Sequence, residues 1–433
     1  MASRRTTLAR WTLSVCVAWV GSTGVSAAVG AQERDDPPLP PGASATLDRA
    51  RAVRGTRLSI ALDTYGPGTE VFERFGHVAL VVRDSASGQE VAFNWGMFDF
   101  AQPHFLTNFL TGDTKYWMAG YRSADFNADY VRHERSIRRQ ELALPPMERA
   151  ALYDYVAWNA SEAHKFYRYD YYTDNCATRI RDVLDRVLQG QIKTAFGDAG
   201  SGRTWRGETA RITATNLPVF AGIEVALGRN ADHTLSRWEE SFLPELLANH
   251  LTTVVLRDQL GNRYKLVSKD TVIATSSRVP LPIEPPDRLA QGALLGFTLA
   301  GLLAVLADAK RRMSRAVLSA SVAVWYGVGG VLGTLLLVAG TVTKHEPYMG
   351  ANTTVLQLHP LLLVAAVAVP LALWRGVRSR ASVGVSTTVA ALALAGWLLQ
   401  LVPSLDQQSG VVLAVTLPVH VALAVAIRRL PAS

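Results

Sequence analysis

The sequence predicts an α+β domain, a small antiparallel sheet packed on a cysteine-bearing helix, followed by an all-α membrane region of five helices. Three observations carry this prediction. Residues 48–285 mix charged and aromatic side chains with short apolar runs of strand-like alternation. Within them the polar turn Asp174-Asn175-Cys176 leads into a stretch with helical apolar period, Ile180 to Leu188. After Arg288 the composition changes sharply and five long apolar runs follow, so the 49% hydrophobic content of the 433 residues is unevenly spread.

Residues 1–31 have the form of an export signal. Arg4, Arg5 and Arg10 precede an apolar run over 11–20, and Val29-Gly30-Ala31 offers small residues for cleavage before Gln32. Residues 32–47 are charged and proline-rich, the composition of a flexible linker. The apolar runs cover 289–307, 316–342, 355–374, 383–402 and 410–427. Each is close to the roughly 20 residues that cross hydrocarbon, and buried helices of a soluble domain would not come as five in succession. Basic residues alternate between the loops. Lys310, Arg311, Arg312 and Arg315 follow the first run, Arg375, Arg378 and Arg380 the third, and Arg428 and Arg429 the fifth, whereas the other two loops share only Lys344. The positive-inside rule puts the basic loops and the C-terminus in the cytoplasm, and the exported domain, 48–285, on the outer side of a bacterial inner membrane, with 286–433 as the membrane domain. Much of the net charge of +8 is this topology signal, so nucleic-acid binding is not implied.

The chain has two cysteines, and Cys16 lies in the signal. Cys176 is therefore alone in an oxidising compartment, where it forms no internal disulfide. Its place in the first turn of a helix favours a thiolate, which suits a nucleophile. A buried structural cysteine is the other reading. Upstream, Arg57 to Leu62 has strand character, as do Gly76-His77-Val78-Ala79-Leu80-Val81-Val82 and Glu90 to Gly96, the latter two separated by a turn at 85–88. That hairpin sets His77 beside Asn94. Cysteine, histidine and an orienting polar side chain are the set needed for thiol acyl transfer: the histidine takes the thiol proton, and the third residue holds the ring in one tautomer. A strand histidine is also commonly structural, and Asn94 also suits a turn cap. His104, His133, His164, His233 and His250 compete for the base role. Further short strands are expected over 252–256 and 264–267.

Other chemistries fit poorly. His133-Glu134 lacks the second histidine of a zinc-protease helix, and there is no paired-cysteine metal pattern, P-loop or Gly-x-Ser-x-Gly elbow in the exported domain. No metal or organic cofactor is implied. Gly329 and Gly333 form a small-xxx-small pair suited to helix packing.

Gly76-His77, Asn94-Trp95-Gly96 and Asp174-Asn175-Cys176-Ala177-Thr178-Arg179 together resemble the exported domain of the Lnb family of bacterial lipoprotein N-acyltransferases. The resemblance runs on through Thr204-Trp205-Arg206, Gly222 to Gly228 with Asp232, and Phe242-Leu243-Pro244, to His345, Asn352 and Pro360 in the apolar region. The His-then-Cys order is also similar to circularly permuted papain-like enzymes of the NlpC type. The resemblance implies a permuted papain-like fold and a cysteine acyl-enzyme, with Cys176 as nucleophile, His77 as base and Asn94 as orienter. It also implies diacylglyceryl-modified lipoproteins as acceptors and a membrane phospholipid, or the lipoprotein's own lipid, as acyl donor. The aromatics Phe166, Tyr167, Tyr169, Tyr171 and Tyr172 suit either a lipid interface or the core. An exported cysteine hydrolase acting on peptidoglycan or lipid esters uses the same three groups, and a non-catalytic membrane assembly protein is the alternative outside enzymes.

Overall fold

The computed structural model describes residues 45–432 except Gln259 and Lys310. The expected export signal, with Cys16, and nearly all of the linker lie outside the described residues.

The chain forms two compact units. One runs through Ile223 and resumes from His233 to Pro286; the other comprises Glu224–Asp232 and Asp287 onward. The first unit begins with α1 (Ala45–Arg57), β1 (Leu58–Tyr65), β2 (His77–Asp84) and β3 (Glu90–Met97). Next come α2 (Phe105–Thr111), β4 (Lys115–Arg122), α3 (Ser123–Arg132), β5 (Ile137–Leu142), α4 (Pro146–Asn159) and β6 (Phe166–Arg168). α5 (Cys176–Val187), α6 (Gln191–Phe196), α7 (Trp205–Thr213), α8 (Leu217–Ala226), α9 (Arg237–Glu240) and α10 (Pro244–Leu251) lead to β7 (Val255–Arg257), β8 (Arg263–Lys265) and β9 (Val267–Ala274). α8 crosses the boundary between the units.

The sheet is antiparallel, as expected, but larger. Seven strands stand in the order β6-β4-β3-β2-β1-β5-β9, and β7-β8 form a separate hairpin. β4, β5 and β6 are strands for which the sequence analysis has no counterpart, and β9, an edge strand pairing with β5, begins where the strand expected over 264–267 ends. Both faces of the central strands are covered. Leu58, Ile60, Leu62, Val78, Leu80, Val82, Phe93 and Trp95 pack on α5 through Ala177, Ile180, Val183, Leu184 and Val187. Ala61, Tyr65, Ala79, Val81 and Ala92 face α3 through Phe126 and Tyr130. Double coverage explains the unbroken apolar run Val78–Val82, since a strand buried on both faces has no solvent side to alternate with.

The second unit contains α11 (Leu289–Asp308), α12 (Arg312–Val342), α13 (Glu346–Met349), α14 (Leu362–Arg375), α15 (Arg380–Leu399) and α16 (Gly410–Arg429). Among the described residues four helices, α11, α12, α15 and α16, are long and apolar enough to cross a membrane. The third apolar run is not one long helix. It divides into a 3-10 turn (Thr353–Leu356), a short link and the 14-residue α14. The break has a local cause. Pro360 disfavours helical backbone at His359, and Asn352 caps the turn by accepting from the Thr354 N–H.

Asp308, Arg378 and residues 428–431 meet at one end of this unit: Arg378 donates to the carbonyls of Pro431 (2.8 Å) and Arg428 (2.5 Å), and Arg429 lies 4.0 Å from Asp308. At the other end Asn352 donates to the carbonyls of Val225 and Ala226, both at 3.0 Å. Gln407 there donates to Asn352 Oδ1 (3.0 Å) and Thr354 Oγ1 (3.1 Å) and accepts from the Thr353 N–H (2.8 Å). The segment Glu224–Asp232 thus packs with the helical unit rather than with the sheet. Gly329 and Gly333 are packing positions: a Cβ on Gly329 would press on Leu362, and one on Gly333 would overlap the Leu358 carbonyl. Gly333→Leu should therefore destabilise the protein by about 1–3 kcal/mol. Thermal scanning of the detergent-solubilised chain should show a lowered midpoint; an unchanged midpoint would mean that α12 does not approach the Leu358 backbone this closely.

Candidate functional site: a cysteine and a histidine at the end of the sheet

The loop before α5 is organised by side chains that bond their own backbone. Asp170 Oδ1 accepts from the N–H groups of Tyr172 (3.0 Å) and Thr173 (2.8 Å), which turns the chain. Asn175 then caps the helix, accepting from Ala177 N (2.9 Å) and Thr178 N (3.0 Å), while Thr178 Oγ1 accepts from Asn175 N (2.8 Å). The Asn175 amide also donates to the carbonyls of Tyr171 (2.9 Å) and Phe242 (3.0 Å). Arg179 grips Asp174 with two hydrogen bonds of 2.5 and 2.7 Å and lies over the Tyr167 ring. The result is a buried Cys176 at the first helical position, with the backbone N–H groups of Val78, Ala177 and Cys176 itself directed at its sulfur.

His77 opens β2, and Asn94 lies on the adjacent β3. The two strands bring both residues to the end of the sheet where α5 starts. Gly96 lies between His77 and Cys176 at this end of the sheet. It has φ 98°, and a Cβ placed on it would lie 3.9 Å from His77 Cε1 and 4.0 Å from Cys176 Cβ, so a side chain there would stand between them. Trp95, next to it, is held by Nε1 donating to Asn159 Oδ1 (2.8 Å), which fixes β3 against α4. Asn94 is buried and donates to the Ala119 carbonyl of β4 (3.1 Å). Its Oδ1 makes no hydrogen bond of ordinary length, yet it lies near enough to His77 to favour the protonated ring.

The electrostatics differ from the sequence expectation. Burial pushes the Cys176 thiol up to about 11, against the N–H groups and the nearby Arg135 charge, which lower it. A helix N-terminus alone would have favoured thiolate; desolvation is the larger effect. His77 is held down to about 4, first by burial and then by the charge of Arg135, with Asn94 opposing. Part of His77 remains solvent-accessible, but its ring is crowded by Tyr65 and Tyr130, each stacked at 6.2 Å, and by Phe126 at 6.3 Å. At neutral pH the resting pair is therefore thiol and neutral imidazole, an arrangement for general-base activation during attack rather than a preformed ion pair.

Arg135 belongs to none of the motifs the sequence presents. It is buried, donates to the Gly66 carbonyl (2.8 Å), approaches Glu73 (3.5 Å) and sits over the Tyr130 ring at 4.5 Å. Its Nη2 makes no hydrogen bond to a described residue. Its sequence neighbourhood carries no signal that it approaches Cys176. The competing histidines are occupied elsewhere. His233 pairs with Glu239 (3.3 Å), His250 with Glu240 (2.9 Å), and His164 with Ser161 (2.9 Å) while stacked on Trp158. His133 meets the Asp129 carbonyl on the surface, and His104 begins α2, exposed. Of the aromatics before Cys176, Tyr169 stacks on Tyr116 and Tyr172 on Trp205, so these fill the protein; Phe166 is the exposed one.

Fold and site define a membrane protein whose α+β unit carries a cysteine and a histidine at one end of an antiparallel sheet. Residues 46–207 match the family model described as the Lnb N-terminal periplasmic domain, which supports the resemblance of this part of the chain to the Lnb family. The matched region contains His77, Asn94, Arg135 and Cys176 and ends before the apolar helices. Comparison with curated proteins and with solved structures finds no significant match. The domain match and the apolar helices together support an inner-membrane protein with a periplasmic domain.

Alkylation of Cys176 by iodoacetamide should accelerate with pH without a plateau through pH 9, because the thiolate fraction is still rising below about 11. A rate already level at neutral pH would refute the neutral resting pair. Arg135→Gln should slow alkylation at a given pH, since loss of its charge raises the thiol further.

Proposed function

We propose that the protein is a thiol acyltransferase that N-acylates the N-terminal cysteine of bacterial lipoproteins. The observation that carries the reading is the approach of Cys176 and His77 across Gly96 within an Lnb periplasmic domain. In the proposed reaction His77 takes the Cys176 proton as sulfur attacks the carbonyl of a lipid acyl ester. The C–S bond forms, the ester C–O bond breaks, and the lysolipid alkoxide leaves with the proton from His77. The α-amine of a diacylglyceryl-modified lipoprotein then attacks the thioester. The amide forms, the C–S bond breaks, and the amine proton passes through His77 to the sulfur. The N–H of Cys176 is suited to the oxyanion of each tetrahedral intermediate, the Ala177 N–H being held by the Asn175 cap. Asn94, anchored on Ala119 and with its oxygen toward His77, is the orienter. A membrane phospholipid is the acyl donor we favour, because a lipid-anchored acceptor and a bilayer donor share one surface with a tethered enzyme.

In this reading residues 48–285 form the catalytic domain and 286–433 the membrane domain. Five crossings with a cytoplasmic C-terminus agree with the meeting of Asp308, Arg378 and Arg428 at one end of the helical unit. α14, though short, joins the capped turn at Asn352 to that basic end.

Mass spectrometry of lipoprotein N-termini, from cells lacking their own N-acylating enzyme, tests the function. The intact chain should add an N-acyl group, and Cys176→Ala should add none. His77→Ala should reduce transfer by about 10²-fold or more, the usual scale of a lost general base. Released fatty acid without N-acylation would replace the transferase by a hydrolase. With purified enzyme, thioester formation should be flat from pH 5 to 8 and fall on the acid side, as protonation of His77 near its value of about 4 removes the base. Arg135→Gln should move that acid limb to higher pH, because the guanidinium is one of the causes that lower His77.

A further inference from the structure

The two loops that flank the Cys176–His77 site carry an aromatic surface. Phe72 lies in the loop leading to His77, and Phe98 lies just past Gly96. Phe98 is a hub: its ring lies 5.4 Å from Phe72, 4.9 Å from Phe100 and 6.1 Å from Phe105, and Phe105 continues to Phe109 at 6.4 Å. Aromatic clusters of this kind normally form cores. Here Phe72 is 53%, Phe100 64%, Phe109 54% and Leu110 60% exposed. α2, Phe-Leu-Thr-Asn-Phe-Leu-Thr, has no buried residue and no charged one. A short helix facing water on all sides would be expected to carry charge; an uncharged one rich in Phe and Leu matches an apolar environment.

The geometry points to this surface as the place where the catalytic unit dips into the lipid bilayer, delivering an acyl chain to Cys176; the inference rests on the acyltransferase reading for the identity of the cargo. The occupant is argued from the chain itself. Among the described residues four helices are fit to cross a membrane, and only fourteen residues separate β9 from α11, so the unit is held near a lipid surface. The patch also borders the thiol that has to meet a lipid ester: Phe72 and Phe98 are within five residues of His77 and Gly96. Phe side chains inserted at the interface contribute apolar area without needing a buried polar partner, unlike Tyr or Trp.

The full chain, reconstituted in vesicles of phosphatidylglycerol and phosphatidylethanolamine, tests this without turnover. Phe109→Cys in a Cys176→Ser background would carry a nitrobenzoxadiazole fluorophore, with Leu260→Cys, at a position 87% exposed in the β7–β8 hairpin, as the control. The expected result is blue-shifted emission at position 109 and quenching by doxyl-labelled phospholipid, neither of which the control should show. Emission at 109 matching the control would overturn the inference. So would a blue shift without lipid quenching, which would assign the patch to a protein partner. Because this readout needs no Cys176, it stands or falls apart from the acyl-transfer assay. In the otherwise native chain, Phe100→Ser with Phe109→Ser should lower acylation from vesicle lipid while leaving the iodoacetamide rate of Cys176 unchanged; unchanged acylation would also overturn it.

Discussion

Asn175 satisfies the start of α5 and ties it to its surroundings at the same time. Its carboxamide oxygen takes two N–H groups of the first turn, and its nitrogen reaches the carbonyls of Tyr171 and Phe242. A cap of this kind is worth about 0.5–2 kcal/mol in itself. Its larger consequence is positional. The loop before the helix, the helix and the segment leading to α10 converge on one buried side chain, and Cys176 is the next residue. Without that convergence the sulfur would have no fixed relation to the end of β2 or to the Val78 N–H.

The environment of the pair then sets its chemistry. Tyr65, Tyr130 and Phe126 enclose the imidazole, and the sulfur is buried against the sheet, so both groups are uncharged at rest. A neutral thiol is protected from stray reaction, and the charge separation needed for attack is postponed until substrate arrives. Arg135 biases the same balance from one side. It favours the thiolate and disfavours the imidazolium, so its charge lowers both values together rather than stabilising an ion pair.

The helical unit follows different packing rules. Apolar side chains cannot drive helix association in lipid, so close contact comes from small residues and satisfied polar groups. Gly292 and Gly296 let α11 approach the α16 backbone at Val411 and Ala414, and Gly333 lets α12 approach Leu358. Gln357 illustrates the polar part: it donates to the Ala393 carbonyl at 2.8 Å, accepts from Thr416 at 2.8 Å, and offers its own carbonyl to His420 at 3.0 Å.

The sequence by itself determined the α+β unit followed by apolar helices, the β2–β3 hairpin, the helix that begins at Cys176 and the resemblance of the exported domain to the Lnb family. These are local or compositional properties: strand alternation, a polar turn before a helical period, uninterrupted apolar runs, and a motif whose residues stand close together. Tertiary structure decided what depends on contacts between distant segments. It joined β9 to β5 across more than a hundred residues and brought Arg135 to the Cys176–His77 site. It left Phe98 to Leu110 on the surface while drawing Tyr169 and Tyr172 inward, and it divided the third apolar run at Pro360. It also reversed the expectation of a thiolate. The dipole at the helix start is written in the turn, but desolvation depends on what the rest of the fold packs around the sulfur, and burial outweighs the dipole.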